Sequence, residues 1–431
     1  MQNSNIKILL FGSYFILSLA PIGIETSVLS NNFENMTSIF NIFRLIIPIF
    51  IFISLSFFTL HKLNIAEFIK TFFVFVFFII IFLSTLFNLE NSNEVEKLLL
   101  PFYCINYIYL VLLVLNTNNL KEKFNKFIFL QFVIITIITL FSLFQFFSSF
   151  INFNLPDLYN LSIENNFYNQ NSNGLSRILL VICLFIFLMN KKNNYFYFSC
   201  LIINTLVILL QSKLVLFFLF SFILIKVFFE KNIIKEKIKD ILLILIIPLL
   251  ITFLISTTNT VKNGPEIRLI TETKIDLTKH SSIGIMDLAI LRSLKTRIDT
   301  WKVILQNSEK PLIGYGSQAD KHLTKNLPKH TQLAANSFIY AYAGAGVIGI
   351  ISLIIIYYNI IKLLLSAIFI KNSRSEFDNL KLFYVAILCF LIFRSIFENS
   401  FVLWGIDFVL LVNCYLGLKN ILDRKKIRNT N

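Results

Sequence analysis

Basic side chains lie at the ends of apolar segments in several separate parts of this chain, and they are the residues best suited to chemistry. Arg177 precedes one long apolar run, and Lys213 separates two others. Arg394 lies near the end of a further run, and Glu398 follows it at the spacing that places two side chains on one helical face. An ionisable group near hydrocarbon is costly and is kept mainly for a purpose. Cations in such places predict binding of an anion, and a diphosphate carried by a lipid is the anion expected at that depth.

A long polar connection supplies further cations. Residues 256–336 contain Gly, Pro, His and charges of both signs between two apolar runs. A soluble segment of this length between two membrane spans is uncommon unless it has a function. Arg292, Lys295 and Arg297 lie close to the point where this connection must return to the membrane. The connection is therefore the first place to look for an active site.

A helix is predicted within this connection. Apolar residues recur at helical spacing over 291–306, and the helix must end before Pro311. The predicted apolar face consists of Ile298, Trp301, Ile304 and Leu305.

Each of these cations also has a structural alternative. A lysine or arginine at the membrane surface can extend its charge to lipid headgroups, or it can pair with a neighbouring acid. For Arg177 and Lys213 both interpretations stay open. For Arg394, an ion pair with Glu398 along one helix is the stronger alternative. The common depth of these residues favours a shared function.

The composition requires that most of the chain lie in lipid. Hydrophobic residues make up 56% of the 431 residues, charged residues make up 15%, and the mean hydropathy is +0.74. A water-soluble globular protein of this length would not reach these values. Apolar runs of roughly 17 to 25 residues recur, which is the length of helix that crosses a hydrocarbon core. The predicted fold class is therefore all-α, a polytopic transmembrane helix bundle of about 12 spans with one large extracytoplasmic loop.

The spans are predicted at residues 7–22, 38–60, 68–88, 98–116, 126–150, 175–190, 195–211, 213–229, 240–257, 337–366, 380–397 and 400–420. The first of them has no small-residue cleavage site after it, so a retained span is expected. The chain is thereby divided into an N-terminal bundle of about nine spans over 1–255, the large loop over 256–336, and C-terminal helices with a basic tail over 337–431.

Basic residues in the short connections predict the orientation of the chain. They are His61, Lys62 and Lys70, Lys121 to Lys126, Lys191 and Lys192, Lys231 to Lys239, Lys371 and Arg374, and Arg424 to Lys426. All of them fall on one side of the predicted bundle, so the positive-inside rule places both termini in the cytoplasm. Orientation explains much of the net charge of +15, and no nucleic-acid partner is expected.

The sequence predicts no metal site and no cofactor. It contains no His, Cys or carboxylate cluster at the spacing of metal ligands. The cysteines all lie inside apolar runs, where they are expected to behave as small hydrophobic residues: Cys104, Cys183, Cys200, Cys389 and Cys414.

Several different short motifs lie between residues 171 and 407. They are Asn173-Gly174-Leu175-Ser176-Arg177, Gln211-Ser212-Lys213, Arg297-Ile298-Asp299-Thr300-Trp301, Pro311-Leu312-Ile313-Gly314-Tyr315-Gly316-Ser317, Ala335-Asn336-Ser337-Phe338-Ile339, Gly346-Val347-Ile348-Gly349, and Arg394-Ser395-Ile396-Phe397-Glu398 with Asp407. At these positions the chain resembles the O-antigen ligase and O-antigen polymerase superfamily. Its members are integral membrane enzymes that act on polyprenyl-diphosphate-linked glycans. Lys213 stands where that family usually has arginine.

The resemblance implies a glycosyltransferase that works at the outer face of a bacterial cytoplasmic, or inner, membrane. An acceptor sugar hydroxyl would attack the anomeric carbon of a donor glycan, and polyprenyl diphosphate would leave without help from a metal. Polymerisation of O-antigen or a related surface polysaccharide is favoured, because ligase members commonly have histidine where this chain has Ala335. His322 and His330 in the same loop are the available substitutes. Ligation of glycan to lipid A core or another acceptor stays an alternative.

The charges and the resemblance together assign roles. Arg297 and Arg394 would stabilise the leaving diphosphate, and Glu398, or Asp299 as the second candidate, would be the general base. The alternative that both carboxylates only orient arginines stays open. Substrate binding is assigned to Arg177, Lys213, Arg292, Trp301, Gly314, Gly316 and Asn336. The expected partners are polyprenyl-diphosphate-linked oligosaccharides and membrane lipid, with a chain-length regulator and a flippase as further partners.

A transporter or lipid-glycan flippase is the main rival from another functional class. It too would have about 12 spans, but it predicts polar residues near the middle of the membrane on several helices, together with internal repeats. In this sequence the charges gather at one face, next to a long outer loop, which favours the enzyme.

Overall fold

The computed structural model of the chain describes residues 71–89, 95–116, 124–134, 178–185, 297–327, 334–369 and 376–430, with scattered positions before residue 251. Every regular element in these ranges is a helix, which confirms the all-α prediction for this part of the chain. Five predicted spans, at 7–22, 38–60, 195–211, 213–229 and 240–257, lie outside the continuously described residues. The number of spans and the orientation of the termini therefore stay predictions.

Six helices have defined bounds in the described part of the chain. A short 3₁₀ helix, Phe73–Phe75, leads into α1 (Val76–Phe87), and the others are α2 (Val95–Asn116), α3 (Ala319–Leu323), α4 (Ser337–Phe369), α5 (Glu376–Phe397) and α6 (Ile406–Thr430). Helical stretches also cover 124–134, 178–185 and 297–306. Among the described residues, three segments are long and apolar enough to cross a membrane: Lys97–Leu115, Ser337–Ala367 and Leu380–Phe397. They indicate a membrane protein, as the composition predicts.

The helix predicted in the long connection is confirmed over its described residues, 297–306. The face that it buries differs from the prediction. Thr300 and Ile304 are buried, whereas Ile298 and Leu305 are 44% and 48% exposed. The buried face of this helix is therefore narrower than the predicted apolar face, which included Ile298 and Leu305.

The last helix begins later and ends later than predicted. A turn over 400–405 separates α5 from α6, so α6 starts at Ile406 and continues to Thr430 through the predicted basic tail. Asp407 lies in the first turn of α6. A carboxylate there is favoured by the positive end of the helix dipole.

α4 is broken, which corrects the single continuous span predicted for this segment. Gly346 leaves helical geometry with φ +61° and ψ −152°. The rings of Phe338 and Tyr357 are stacked with centroids 5.1 Å apart, although residues so far apart in a straight helix would lie roughly 28 Å from each other. The chain therefore folds back at the break, and a short arm, 337–344, packs against a long arm, 347–369.

A turn from the long connection, the closing turn (311–316), occupies the break in α4. The amides of Tyr315 and Gly316 donate to carbonyls of the short arm at 2.9 and 2.7 Å. The Val347 amide at the start of the long arm donates to the Pro311 carbonyl at 2.8 Å. Backbone groups freed at a helix break inside a membrane require partners, and the closing turn supplies them.

Polar side chains of α1 hold the closing turn in place. Ser84 Oγ lies 2.7 Å from the carbonyl oxygens of both Ile313 and Gly344, so it contacts the turn and the short arm together. Asn88 Nδ2 donates to the Gly314 carbonyl at 3.1 Å. The end of α1, the closing turn and the break in α4 therefore form one packed unit.

A neutral polar network lies between the helices. Asn413 Oδ1 accepts hydrogen bonds from the hydroxyls of Tyr14 and Tyr107 at 3.1 and 3.0 Å. Asn413 Nδ2 donates to Gln131 Oε1 at 2.9 Å, and all four side chains are buried. The network joins α6 to α2, to the stretch 124–134 and to the beginning of the chain. Buried polar groups stabilise a fold when they are hydrogen-bonded, as both polar atoms of the Asn413 amide are here.

Candidate functional site

Four elements meet at the end of α5. Residues 394–400 contact the helical stretch 297–306, the start of α4 and the start of α6. This region, here named the α5 junction, brings together four of the residues that the sequence assigned to catalysis or binding. They are Arg297, Asn336, Arg394 and Glu398.

Arg394 bridges two carboxylates at the α5 junction. Its Nη1 donates to Asp407 Oδ2 and its Nη2 donates to Glu398 Oε2. The Arg394 side chain is 8% exposed, compared with 6% for Asp407 and 21% for Glu398. Ser400 Oγ also donates to Asp407 Oδ2 at 2.9 Å. The ion pair indicated by the sequence spacing is present, and its extension to Asp407 holds the start of α6 on the end of α5.

Arg297 has a different environment. Its Nη1 donates to the carbonyl oxygen of Phe397, the last residue of α5. This is where the helix dipole is negative and where carbonyls lack partners within the helix. Arg297 is partly exposed, and no carboxylate of the described residues forms a salt bridge with it. Because a guanidinium carries five N–H donors, one such bond leaves donors for an anion.

Asn336 begins α4 and ties it to α5. Its Oδ1 accepts hydrogen bonds from the amides of Phe338 and Ile339 at 2.8 and 3.0 Å, which is the geometry of a helix N-cap. Its Nδ2 donates to the Ile396 carbonyl at 2.7 Å. The polar atoms of the Asn336 side chain, assigned to substrate by the sequence, are thus engaged within the protein.

A buried acid that the sequence analysis missed completes the α5 junction. Asp320 Oδ2 accepts hydrogen bonds from Asn399 Nδ2 at 3.2 Å and from the Ala334 amide at 3.0 Å. Asn399 Oδ1 accepts in turn from the Asn336 amide at 3.0 Å. Burial of Asp320 raises its pKa above the ordinary value of 3.8. The hydrogen bonds that it accepts from Ala334 and Asn399, and the nearby Lys321, lower the pKa and offset part of this effect. The signal in the sequence that could have identified Asp320 is its position three residues after the glycine-containing motif 311–317.

Trp301 and Asp299 occupy different sides of the helical stretch. The Trp301 indole N–H donates to the Ala334 carbonyl, so it attaches this stretch to the entry of α4. Asp299 is exposed. Two positions along a helix amount to a rotation of roughly 200°, so Asp299 lies on the face opposite Arg297. The second candidate base is therefore not brought to the α5 junction.

Gly314 and Gly316 lie in the closing turn with φ values of +72° and +88°. A Cβ atom at Gly314 would come within 2.5 Å of the Ala345 nitrogen, and one at Gly316 within 2.6 Å of the Thr85 Cα. Both glycines permit the turn to pack on α4 and α1. The sequence assigns both glycines to substrate binding, but in the structure their amides donate to carbonyls of Lys310 and of the short arm.

Arg177, Lys213 and Arg292 lie outside the described residues, so their predicted part in the site is untested. No known family model matches the chain, and no curated protein matches it. The functional argument therefore depends on the α5 junction and on the short motifs. What the junction offers chemically is a partly exposed cation, Arg297, bonded to the Phe397 carbonyl, and a partly exposed carboxylate on the following residue, Glu398.

Proposed function

We propose that this protein polymerises polyprenyl-diphosphate-linked oligosaccharide units, as in the synthesis of O-antigen or a related surface polysaccharide. The reaction takes place at the outer face of a bacterial cytoplasmic membrane, with both termini of the chain in the cytoplasm. The observation that carries the proposal is the position of Arg297. Its guanidinium bonds the Phe397 carbonyl, so it lies beside the residue that precedes Glu398.

The two side chains have complementary roles in the proposed reaction. The acceptor hydroxyl attacks the anomeric carbon of the donor, and its proton passes to Glu398. The bond between the anomeric carbon and the diphosphate oxygen breaks, and the electron pair leaves with the polyprenyl diphosphate. Arg297 stabilises that anion, an effect typically worth a few kcal/mol for a pre-positioned donor in a poorly solvated site.

Arg394 has a supporting part in this proposal. Its charge is offset by Glu398 and Asp407, so it orients the proposed base more directly than it binds phosphate. This revises the sequence-based assignment of Arg394 to the leaving group.

The experiment that tests the proposal compares Arg297→Ala with Lys302→Ala in chain extension from defined polyprenyl-linked repeat units. Lys302 is an exposed cation on the same helical stretch, so it is a matched control. We expect Arg297→Ala to slow extension by on the order of 100-fold or more while the protein still inserts. Lys302→Ala should extend chains at the wild-type rate. Equal rates for Arg297→Ala and wild type would refute the role of Arg297.

Ligation stays a second candidate within the enzyme class. Deletion of the gene separates the two, because loss of polymerisation leaves single repeat units on the acceptor, whereas loss of ligation leaves the acceptor bare. The presence of Ala335 at the position where ligases carry histidine favours polymerisation.

A transporter is the candidate from another class, and two observations bear on it. The break in α4 and the polar network around Asn413 are features that membrane transporters also have. In transporters, however, the freed groups of broken helices coordinate cargo. Here the closing turn bonds to the backbone on both sides of the break, and both polar atoms of the Asn413 amide are bonded to Tyr14, Tyr107 and Gln131. These bonds favour a structural role for both features.

A further inference from the structure

The closing turn exposes two large apolar side chains. Leu312 and Ile313 are 63% and 51% exposed, while their backbone carbonyls are bonded to α4 and α1. The turn is therefore fixed in place with its apolar side facing outward. Adjacent exposed apolar side chains held in this way indicate a surface that meets something other than water.

The apolar surface of the turn continues along the long arm of α4. The exposed apolar residues of that arm are Val347, Ile348, Ile351, Ile354, Ile361 and Leu365. They belong to a segment that is long and apolar enough to cross a membrane. The Ile348 amide lies 3.5 Å from the Leu312 carbonyl, so the turn and the first residues of the arm are immediate neighbours. One continuous apolar face therefore runs from the turn into the span.

The length of the long arm locates the turn relative to a bilayer. Residues 347–369 form a helix roughly 34 Å long at 1.5 Å per residue, slightly longer than a hydrocarbon core of about 30 Å. The first turn of this arm, and the closing turn beside it, therefore lie at the boundary between acyl chains and headgroups. Lys310 Nζ contacts Asn88 Oδ1 at 2.6 Å and lies 5.3 Å from the Tyr315 ring centroid. Lysine and tyrosine are typical of that boundary.

We propose that Leu312 and Ile313 insert into the acyl chains of the lipid leaflet at this end of the bundle. The closing turn is then a lipid anchor within a connection that was expected to lie entirely outside the membrane. Lipid is the partner because the apolar face is continuous with that of a membrane-spanning arm. The anchor fixes the position of the short arm of α4 and, through the bond from Asn336 to α5, that of the α5 junction.

The test places a fluorophore at Leu312→Cys in the full-length chain, reconstituted into vesicles that contain lipids brominated on the acyl chains. Leu305→Cys is the matched control, because Leu305 is also an exposed leucine but lies between exposed Lys302 and Gln306. Wild-type protein treated with the same reagent measures labelling of the native cysteines. Ile313→Cys provides an independent second position.

Brominated lipid should quench the fluorophore at positions 312 and 313 and leave position 305 bright, whereas aqueous iodide should do the reverse. Quenching of position 312 by iodide to the same extent as position 305 would overturn the proposal. Protection of position 312 from both quenchers would also overturn it, because another protein surface would then cover the turn.

Discussion

The two arginines of the α5 junction differ in how their charges are neutralised. Arg394 is buried between two carboxylates, whereas Arg297 is partly exposed at the carbonyl end of α5. Removing one member of a buried ion pair leaves the other charge uncompensated, and this is costly. A partly exposed cation contributes little to stability. We therefore expect substitution of Arg394 to affect folding and substitution of Arg297 to affect activity.

Arg394→Ala should lower the free energy of unfolding by about 3 to 5 kcal/mol, because Asp407 then keeps a buried charge without its cation. The double variant Arg394→Ala with Asp407→Asn should recover part of this loss, since the buried charge is gone. Thermal unfolding of the purified protein in one detergent measures both. An Arg394→Ala protein as stable as the wild type would contradict the burial of this pair.

Asp320 predicts a pH dependence of stability. Its pKa is raised in the folded protein, so the folded state holds the proton more tightly than the unfolded state. The stabilisation from this group is fully present below the unfolded pKa and is lost as the pH rises through the folded pKa. Asp320→Asn does not titrate, and its amide oxygen can still accept the bonds from Asn399 and Ala334.

The melting temperature of Asp320→Asn, compared with that of the wild type, should therefore increase as the pH rises from about 4 to about 8. Unfolding followed at several pH values in the same detergent measures this difference. Asp320→Ala is the control that removes the acceptor as well, and it should be less stable than Asp320→Asn throughout. A constant difference between Asp320→Asn and the wild type would rule out a raised pKa.

The break in α4 is the element on which the position of the α5 junction depends. Folding back at Gly346 brings the short arm, and with it Asn336 and Ser337, to the end of α5. A continuous helix would carry these residues far from Glu398. The closing turn forms hydrogen bonds with the backbone groups on both sides of the break, so this part of the long connection and α4 form a single structural unit.

Gly346→Ala tests this unit. Gly346 has φ +61° and ψ −152°, a region open essentially to glycine, and holding an alanine there costs about 1 to 3 kcal/mol. A Cβ atom there would also lie 2.3 Å from the Leu312 carbonyl carbon, so the closing turn must move. Gly12→Ala is the control, because its added Cβ meets nothing within 4 Å. Gly346→Ala should melt well below Gly12→Ala, and equal melting temperatures would exclude the break.

At the scale of the whole molecule, the polar network joins segments that are far apart in the chain. Asn413 of α6 bonds Tyr14 near the beginning, Tyr107 of α2 and Gln131. Apolar side chains pack against one another and against lipid with similar energies, so van der Waals packing and hydrogen bonds supply much of the specificity between membrane helices. The network therefore selects which helices are neighbours.

Asn413→Leu should destabilise the protein by about 1 to 3 kcal/mol, because the buried Tyr14 and Tyr107 hydroxyls lose an acceptor that they share and Gln131 Oε1 loses a donor. Asn359→Leu is the matched control, since the Asn359 amide bonds only the Ile355 carbonyl of its own helix among the described contacts. Unfolding in one detergent compares the two. A loss no greater for Asn413→Leu than for Asn359→Leu would show that the network does not stabilise the bundle.

The sequence by itself determined the helical class, the membrane setting and the ends of several helices. The predicted spans at 98–116 and 380–397 match α2 and α5 to within a few residues. These features follow from local quantities, namely the length of an apolar run and the cost of a charge in hydrocarbon. The cost of a charge near hydrocarbon also indicated that Arg394 and Glu398 have a specific structural or functional role.

Only the tertiary structure decided which groups meet. The sequence could not predict the fold-back at Gly346, because the energy of that break depends on a closing turn some 30 positions earlier in the chain. It also missed Asp320, whose importance comes from its burial against Asn399. Contacts between distant segments depend on how whole helices pack, and no single stretch of sequence contains that information.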